Sequence, residues 1–257
     1  MRRAPTVLVG LTVLAQIAYP LVGGGARNGL TVATVVLGFA AAVSHAVVTR
    51  GTRTAVVLVL TTAGGGLLVE ATGTATGVPF GEYAYSDSLG PAVLGVPWVI
   101  PLAWTMMAWP AWLVAGRLIA GWPRVLVSGW ALASWDLFLD PQMVDAGHWT
   151  WSSPGVALPG VPGIPVSNYA GWLLVAVVMS AFLHLLVPDG DAPRAAPMLG
   201  FYLWTYASSV LAHAAFFGLP ASAAWGALGM GLVAIPLAAR LLRPARTLHP
   251  APVASTR

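Results

Sequence analysis

The hydrophobic positions of this chain form long stretches with few interruptions, unlike the short alternating patterns of soluble strands and helices. Eight stretches have about the 20 residues that a helix needs to cross the hydrocarbon core of a bilayer. They are residues 5–22, 30–49, 54–72, 98–116, 124–143, 167–187, 197–217 and 221–242. The pattern therefore predicts an all-α fold, a polytopic membrane helical bundle of about eight transmembrane helices.

The arginines indicate the orientation of this predicted bundle. All twelve basic residues are Arg, and placing the N-terminus inside puts every one except Arg27 in the inner loops or at the inner termini. Because Arg and Lys accumulate in short cytoplasmic loops, this split predicts that both termini are cytoplasmic. The protein is expected to be an integral membrane protein of the bacterial cytoplasmic membrane.

No internal repeat or second domain is visible in the pattern. Residues 1–242 are predicted to form a single transmembrane helical domain, and residues 243–257, rich in Pro, Ala and Arg, a disordered cytoplasmic tail. The first stretch follows Arg2 and Arg3, as in a signal peptide. Its length and the lack of a small-residue cleavage site near Pro20 predict a retained helix instead.

Composition narrows the function classes. Hydrophobic residues make up 58% of the chain, charged residues 8%, and the mean hydropathy is +0.79. Soluble proteins carry about 25% charged residues, so a soluble globule is excluded. The absence of cysteine excludes thiol nucleophiles and thiolate metal sites. The basic residues are scattered rather than clustered, so no nucleic-acid partner is expected.

Acidic residues gather on one side of the predicted membrane. Helical rise places Glu70 about 25 Å from Arg53, and Asp140 about 24 Å from Arg124, at nearly the same level. Asp136 lies one turn deeper, and its spacing of four residues from Asp140 puts both on one helix face. His213 reaches a level similar to that of Glu70.

Carboxyl groups inside a membrane span are costly, so they usually face the bundle interior and act there. A low dielectric and a neighbouring carboxylate favour the protonated form, which suits Asp136 to donate a proton as a general acid. Alternatively, Asp140 only ends its helix before Pro141, Glu70 reaches the interface, and His213 is a core residue. Since no HxxE, HExxH or ExxH pattern occurs, no metal site is predicted.

Tryptophan and glycine residues carry two further expectations. Trp98, Trp122, Trp149 and Trp151 are interpreted as interfacial belt residues. Trp104, Trp109 and Trp135 lie within spans, where they are either packing bulk or the aromatic lining of a polyene site that can stabilise a cation. The consecutive glycines at 64–66 are expected to allow close helix packing.

Three ordered motifs follow the third predicted span. Residues 77–104 read GVPFGEYAYSDSLGPAVLGVPWVIPLAW, residues 136–151 read DLFLDPQMVDAGHWTW, and residues 163–172 read GIPVSNYAGW. This series resembles the integral-membrane carotenoid biosynthesis family, which includes hydratases of the gamma-carotene 1'-hydroxylase and bisanhydrobacterioruberin hydratase types. The motifs cover about 100 residues. The Pro-rich segment 152–162 departs from the family pattern, in which an aromatic residue is expected before GIP.

The resemblance implies a carotenoid hydratase of the carbon–oxygen lyase type that works by acid–base chemistry without a cofactor. Water would add to the terminal isopropylidene double bond of an acyclic carotenoid end and give a tertiary alcohol. Asp136 would donate the proton, and Asp140 or Glu70 would accept one from water, although acid and base could be exchanged. The residues expected to bind the substrate are Trp104, Trp135, Tyr83, Tyr85, Asn168 and His213. Expected partners are a long-chain carotenoid in the bilayer, membrane lipids and other carotenoid enzymes.

Other functions remain open at this point. A carotenoid cyclase or isomerase would start with the same protonation. A prenyl transferase would need a second Asp-rich motif and basic residues beside the DxxxD motif at 136–140, and the sequence has neither. A lipid or proton-coupled transporter, or a scaffold for pigment enzymes, could also use buried acids. Transporters more often show repeated halves, so the one-sided acids favour a reaction chamber.

Overall fold

The computed structural model describes residues 3–153, 155–188 and 195–243. Within them the helices are α1 Ala4–Ala18, α2 Gly24–Arg50, α3 Thr52–Val59, α4 Gly65–Thr76, α5 Ile100–Leu118, α6 Pro123–Ala133, α7 Asp136–Asp145, α8 Val166–Leu186, α9 Ala196–Ala215 and α10 Pro220–Leu242. A π-helical segment, Leu60–Gly64, joins α3 to α4. The strands are β1 Tyr83–Tyr85, β2 Ala92–Val93, β3 Val96–Pro97, β4 Trp149–Trp151, β5 Ala157–Leu158 and β6 Val161–Pro165.

The chain is an all-α membrane protein. Among the described residues, five helical segments are long and apolar enough to cross a membrane: Ala4–Leu21, Gly24–Arg50, Thr52–Thr76, Val166–Leu186 and Pro220–Leu242. Helices α5 and α9 reach 19 and 20 residues but are less apolar. The count of eight spans and the orientation of the termini stay predictions. Of the predicted tail, residues 244–257 lie outside the described part of the chain.

Helix α5 is the centre of the bundle. It packs against α2, α4, α6, α8, α9 and α10. Of its 19 residues, 14 are buried, and these include Trp104, Trp109 and Trp112. A helix that is covered on all sides is expected to be apolar around its whole circumference, and α5 meets this expectation largely with Trp, Met and Ala residues. The Trp and Met residues lower its mean hydropathy although they bury large apolar side chains.

The predicted span 124–143 is wrong as a single helix. Helix α6 ends at Ala133, and α7 begins at Asp136. At the junction, backbone hydrogen bonds from Trp135 to Leu132 and from Phe138 to Trp135 join residues three apart instead of four. Both short helices are apolar, so together they give the sequence pattern of a single membrane-spanning helix. The break places Asp136 at the N-terminus of a new helix.

Side chains from α9 and α10 support the backbone of α7. Pro141 has no N–H, so the carbonyl of Leu137 lacks its helical donor, and Ser222 Oγ donates to that carbonyl at 2.7 Å. A ring nitrogen of His213 lies 3.0 Å from the carbonyl of Phe138. Gly226 lets α10 approach closely, because a Cβ there would lie 2.3 Å from the ring of Phe138. Helix α7 is therefore held in place from two sides.

We expect Ser222→Ala to lower the free energy of unfolding by about 1–3 kcal/mol, because it leaves the partly buried Leu137 carbonyl without a donor. Unfolding in mixed detergent micelles measures the change. The matched control is Ser44→Ala, since Ser44 Oγ donates only to the Ala41 carbonyl of its own helix. Equal effects of the two substitutions would contradict the role given to Ser222.

Candidate active site

A cavity of about 150 Å³ opens between the helices beside strands β1 and β4. Its wall combines acidic, amide and aromatic side chains. Those that form one end of the cavity are Glu70, Tyr83, Tyr85, Trp104, Trp135, Asp140, Trp149, Trp151, Asn168 and Trp172. We call this group the carboxyl end. It includes two of the three predicted catalytic residues and five of the six predicted substrate-binding residues.

Glu70 is held by three neutral donors. Tyr83 and Tyr85 donate to its Oε2 atom at 2.5 and 2.8 Å, and the indole of Trp104 donates to Oε1 at 3.0 Å. Burial and the nearby charge of Glu70 raise the pKa of both phenol groups, so they keep their protons and act as donors. A carboxylate, which only accepts hydrogen bonds, fits this surrounding. These three hydrogen bonds favour the carboxylate form of Glu70, against the effect of its burial.

The glycines in the third span position Trp104. A Cβ atom at Gly66, one turn before Glu70, would lie 2.7 Å from Trp104 Cδ1. The missing side chain lets the indole lie against α4 and reach the carboxylate. The close packing expected for residues 64–66 is confirmed for Gly66, whereas a Cβ atom at Gly64 would have no neighbour within 4 Å.

Asp136, Asp140 and Asn168 form a buried triad where α7 packs against the first turn of α8. The side-chain amide of Asn168 donates to Oδ2 of Asp136 at 2.9 Å and also to Oδ2 of Asp140. The shared amide holds the two carboxyl groups next to each other. Trp149 donates to Oδ1 of Asp140 at 3.0 Å. Oδ1 of Asp136 is buried without a hydrogen-bond partner among the described residues.

Two carboxyl groups that share one amide donor in an apolar interior are best accommodated with one proton between them, because two buried charges would repel and lose their hydration. Asp140 lines the cavity, while Asp136 is fully buried and is not among the lining residues. The i, i+4 spacing therefore brings the pair together as predicted. It does not bring Asp136 to the cavity wall.

Strands β1 and β4 pair in an antiparallel register and so join the segment between α4 and α5 to the segment between α7 and α8. Tyr83 lies opposite Trp151 and Tyr85 opposite Trp149. Because side chains alternate along a strand, all four rings point to the cavity. Trp149 and Trp151 are only 6% and 9% exposed, so their interpretation as interfacial belt residues is wrong. Tryptophan is typical of interfacial belts, but here the pairing of β4 with β1 directs both side chains into the cavity.

Three indole rings surround the space beside the carboxyl groups. Trp104 stacks on Trp172, with ring centroids 3.9 Å apart and planes inclined by 15°. Trp135 contacts Trp172 edge to face at 6.2 Å. Such faces carry negative electrostatic potential and attract a cation. The sequence interpretation missed Trp172, although its place in the motif NYAGW, four residues after Asn168 on the same helix face, was a usable signal.

His213 and Trp109, which the sequence suggested as possible site residues, lie away from the cavity wall. The ring nitrogens of His213 contact the carbonyls of Ser209 and Phe138, and His213 does not line the cavity. Trp109 donates to His45 at 3.0 Å and is fully buried in the bundle centre, so it is a packing residue. Among the residues that the structure describes, no three His, Asp or Glu side chains are grouped to hold a metal ion.

Comparison with known proteins agrees with the motifs. The family described as "Carotenoid biosynthesis protein" matches residues 30–234. The chain is also similar to a bisanhydrobacterioruberin hydratase from Haloarcula japonica, with 33% identity over 123 residues, which are 44% of this chain and 40% of that relative. The chain thus matches about two fifths of the relative's length. No solved structure matches the chain.

We expect Glu70→Gln to lower the free energy of unfolding by about 1–3 kcal/mol. The side-chain NH2 of Gln would replace one carboxylate oxygen and would face an O–H or N–H donor that now has no acceptor. Denaturation in detergent micelles measures the loss. Glu82→Gln makes the same change in the exposed outer loop and should have little effect. A stable Glu70→Gln protein would contradict the donor-only surrounding of this carboxylate.

Proposed function

Since this chain belongs to the carotenoid biosynthesis protein family, we propose that it is an enzyme that hydrates an acyclic carotenoid. Water would add to the terminal isopropylidene double bond and give a tertiary alcohol. One observation carries the proposal: a buried carboxyl pair adjoins a cavity whose remaining wall is aromatic and holds a fixed carboxylate. The similar Haloarcula japonica protein, named a hydratase of bisanhydrobacterioruberin, supports the same reaction class.

The carboxyl pair is proposed to give and take the proton. Asp140 receives two neutral donors, from Trp149 and Asn168, while Asp136 receives one. Because donors stabilise a carboxylate, the shared proton rests on Asp136 and the charge on Asp140. When the alkene binds, the proton passes through Asp140 to the =CH carbon of the double bond. The new C–H bond leaves a cation on the neighbouring tertiary carbon.

The cation needs stabilisation until water attacks. The faces of Trp104, Trp135 and Trp172 supply negative potential, and the charge of Glu70 acts over a longer range. Glu70 is a weaker candidate for the base than the sequence suggested, because three donors already occupy its oxygens. Water then forms the C–O bond, its O–H bond breaks, and the proton returns to Asp140. The carboxyl pair ends the cycle unchanged.

The site suits a membrane-dissolved substrate. A long polyene lying in the bilayer would enter the cavity with its end group toward the carboxyl end. We place the enzyme in the bacterial cytoplasmic membrane with both termini inside, among membrane lipids and other carotenoid enzymes. The proton cycle requires no cofactor, and nucleic acid is not an expected partner.

We expect expression in a lycopene-accumulating bacterial host to give a pigment heavier by one water, detected by chromatography with mass spectrometry. Asp140→Asn and Asp136→Asn should each lower its formation at least about a hundredfold, because each removes one half of the proton donor. Asp145→Asn lies on the same helix but is exposed, and should leave the yield unchanged.

Other outcomes would decide between the remaining functions. A product of unchanged mass would indicate a cyclase or an isomerase. If lycopene and bisanhydrobacterioruberin both came through unchanged in membranes that contain the protein, hydration would be refuted, and transport or scaffolding would explain the buried acids.

A further inference from the structure

A second group of cavity-lining residues carries hydroxyl and amide side chains. They come from α1, α2 and α9, and we call them the hydroxyl end: Gln16, Thr31, Thr34, Thr205, Ser208 and Ser209. On α9, residues 205, 208, 209 and 212 follow the spacing of one helix face, so this face is turned to the cavity. The rest of the cavity wall is mostly apolar and aromatic, so these hydroxyl and amide groups stand out from it.

Two contacts fix the level of Thr205 in the bundle. Tyr202 donates to the carbonyl of Ala131 at 3.1 Å, and His213 meets the carbonyl of Phe138 at 3.0 Å. Thr205 lies between these contacts, about 12 Å along α9 from His213. It therefore faces the stretch around Trp135, where the indole faces would hold the cation.

The hydroxyl of Thr205 is unlike those of other buried threonines. Thr12 and Thr62 donate to the carbonyl one turn earlier, at 2.8 Å in each case. Thr205 is 3% exposed, and among the described residues its Oγ1 atom has no hydrogen-bond partner. A buried polar atom without a protein partner that lines a cavity calls for a bound polar molecule.

The hydroxyl end also reaches toward the surface. Gln16 is near the end of α1, where Tyr19 packs against Phe217 at the end of α9. Gln16, Thr34 and Ser208 are partly exposed, while Thr205 is buried. Polar groups thus continue from the rim between α1, α2 and α9 to the buried threonine.

We propose that Thr205 and its hydroxyl neighbours bind the water molecule that is consumed in hydration. This inference rests on the proposed function for the role of the water. Water is the second substrate of hydration. Because an aromatic cavity offers water few hydrogen bonds, polar side chains are needed to bind it there. The carboxyl end supplies the proton, the hydroxyl end holds the water, and the O–H proton released when water attacks returns to Asp140 within the same cavity.

The proposal predicts how the cation would react without that water. If no water attacks, a C–H bond beside the cation breaks, its proton passes to Asp140, and an isomeric alkene of unchanged mass forms. Thr205→Val keeps the side-chain shape but removes the hydroxyl. We expect it to lower the ratio of hydrated to isomerised lycopene about fivefold, and Thr205→Ser to restore the ratio. Thr12→Val, buried outside the cavity, is the matched control.

Lycopene has no oxygen, so Thr205 cannot influence its products through a hydrogen bond to the substrate. An effect confined to carotenoids that already carry a hydroxyl would overturn the proposal and assign Thr205 to the substrate instead. An unchanged ratio in Thr205→Val, or an equal change in Thr12→Val, would also overturn it.

A second measurement does not depend on turnover. Pulsed hydroxyl-radical labelling modifies side chains beside bound water, and Met106 lines the same cavity while being 3% exposed. We expect Met106 to be labelled in the wild-type protein and about fivefold less in Thr205→Val. Labelling that is absent from the wild type would refute the water site even if hydration occurs. Labelling without any hydrated product would instead refute the proposed function alone.

Discussion

The structure depends on one constraint, which is that a carboxyl group in an apolar bundle must be given donors or share a proton. Three carboxyl groups lie near one level, so several elements must converge there. The donors come from the β1–β4 sheet, from α5 and from α8, and they are Tyr83, Tyr85, Trp104, Trp149 and Asn168. The cavity wall and the outer loops follow from satisfying these groups.

The choice of neutral donors has a chemical consequence. An Arg or Lys partner would cancel the negative charge of Glu70, and the site could then offer little to a carbocation. Phenol and indole groups stabilise the carboxylate while leaving its charge in place. Trp104 stacks on Trp172, and Trp104, Trp135 and Trp172 all line the cavity, so residues of one aromatic cluster both hold Glu70 and form the wall of the site.

Helical rise and the i, i+4 spacing were enough to predict that Glu70, Asp136 and Asp140 share one region, because these rules act within single helices. The inward direction of Trp149 and Trp151 depends on pairing with a strand more than 60 residues earlier, which composition does not encode. The break between α6 and α7 was hidden because both short helices are apolar. The contact of Gly66 with Trp104 likewise depends on how two helices pack.

That hidden break distinguishes the two carboxyl groups of the pair. Asp136 lies in the first turn of α7, next to the end of α6, and is fully buried, whereas Asp140 lies one turn later and lines the cavity, where Trp149 of β4 donates to it. In the mechanism that we propose, the proton rests on the enclosed Asp136, away from the cavity. Asp140 then passes this proton to the alkene and takes back the proton that water releases, so both steps use the one carboxyl group that the cavity reaches.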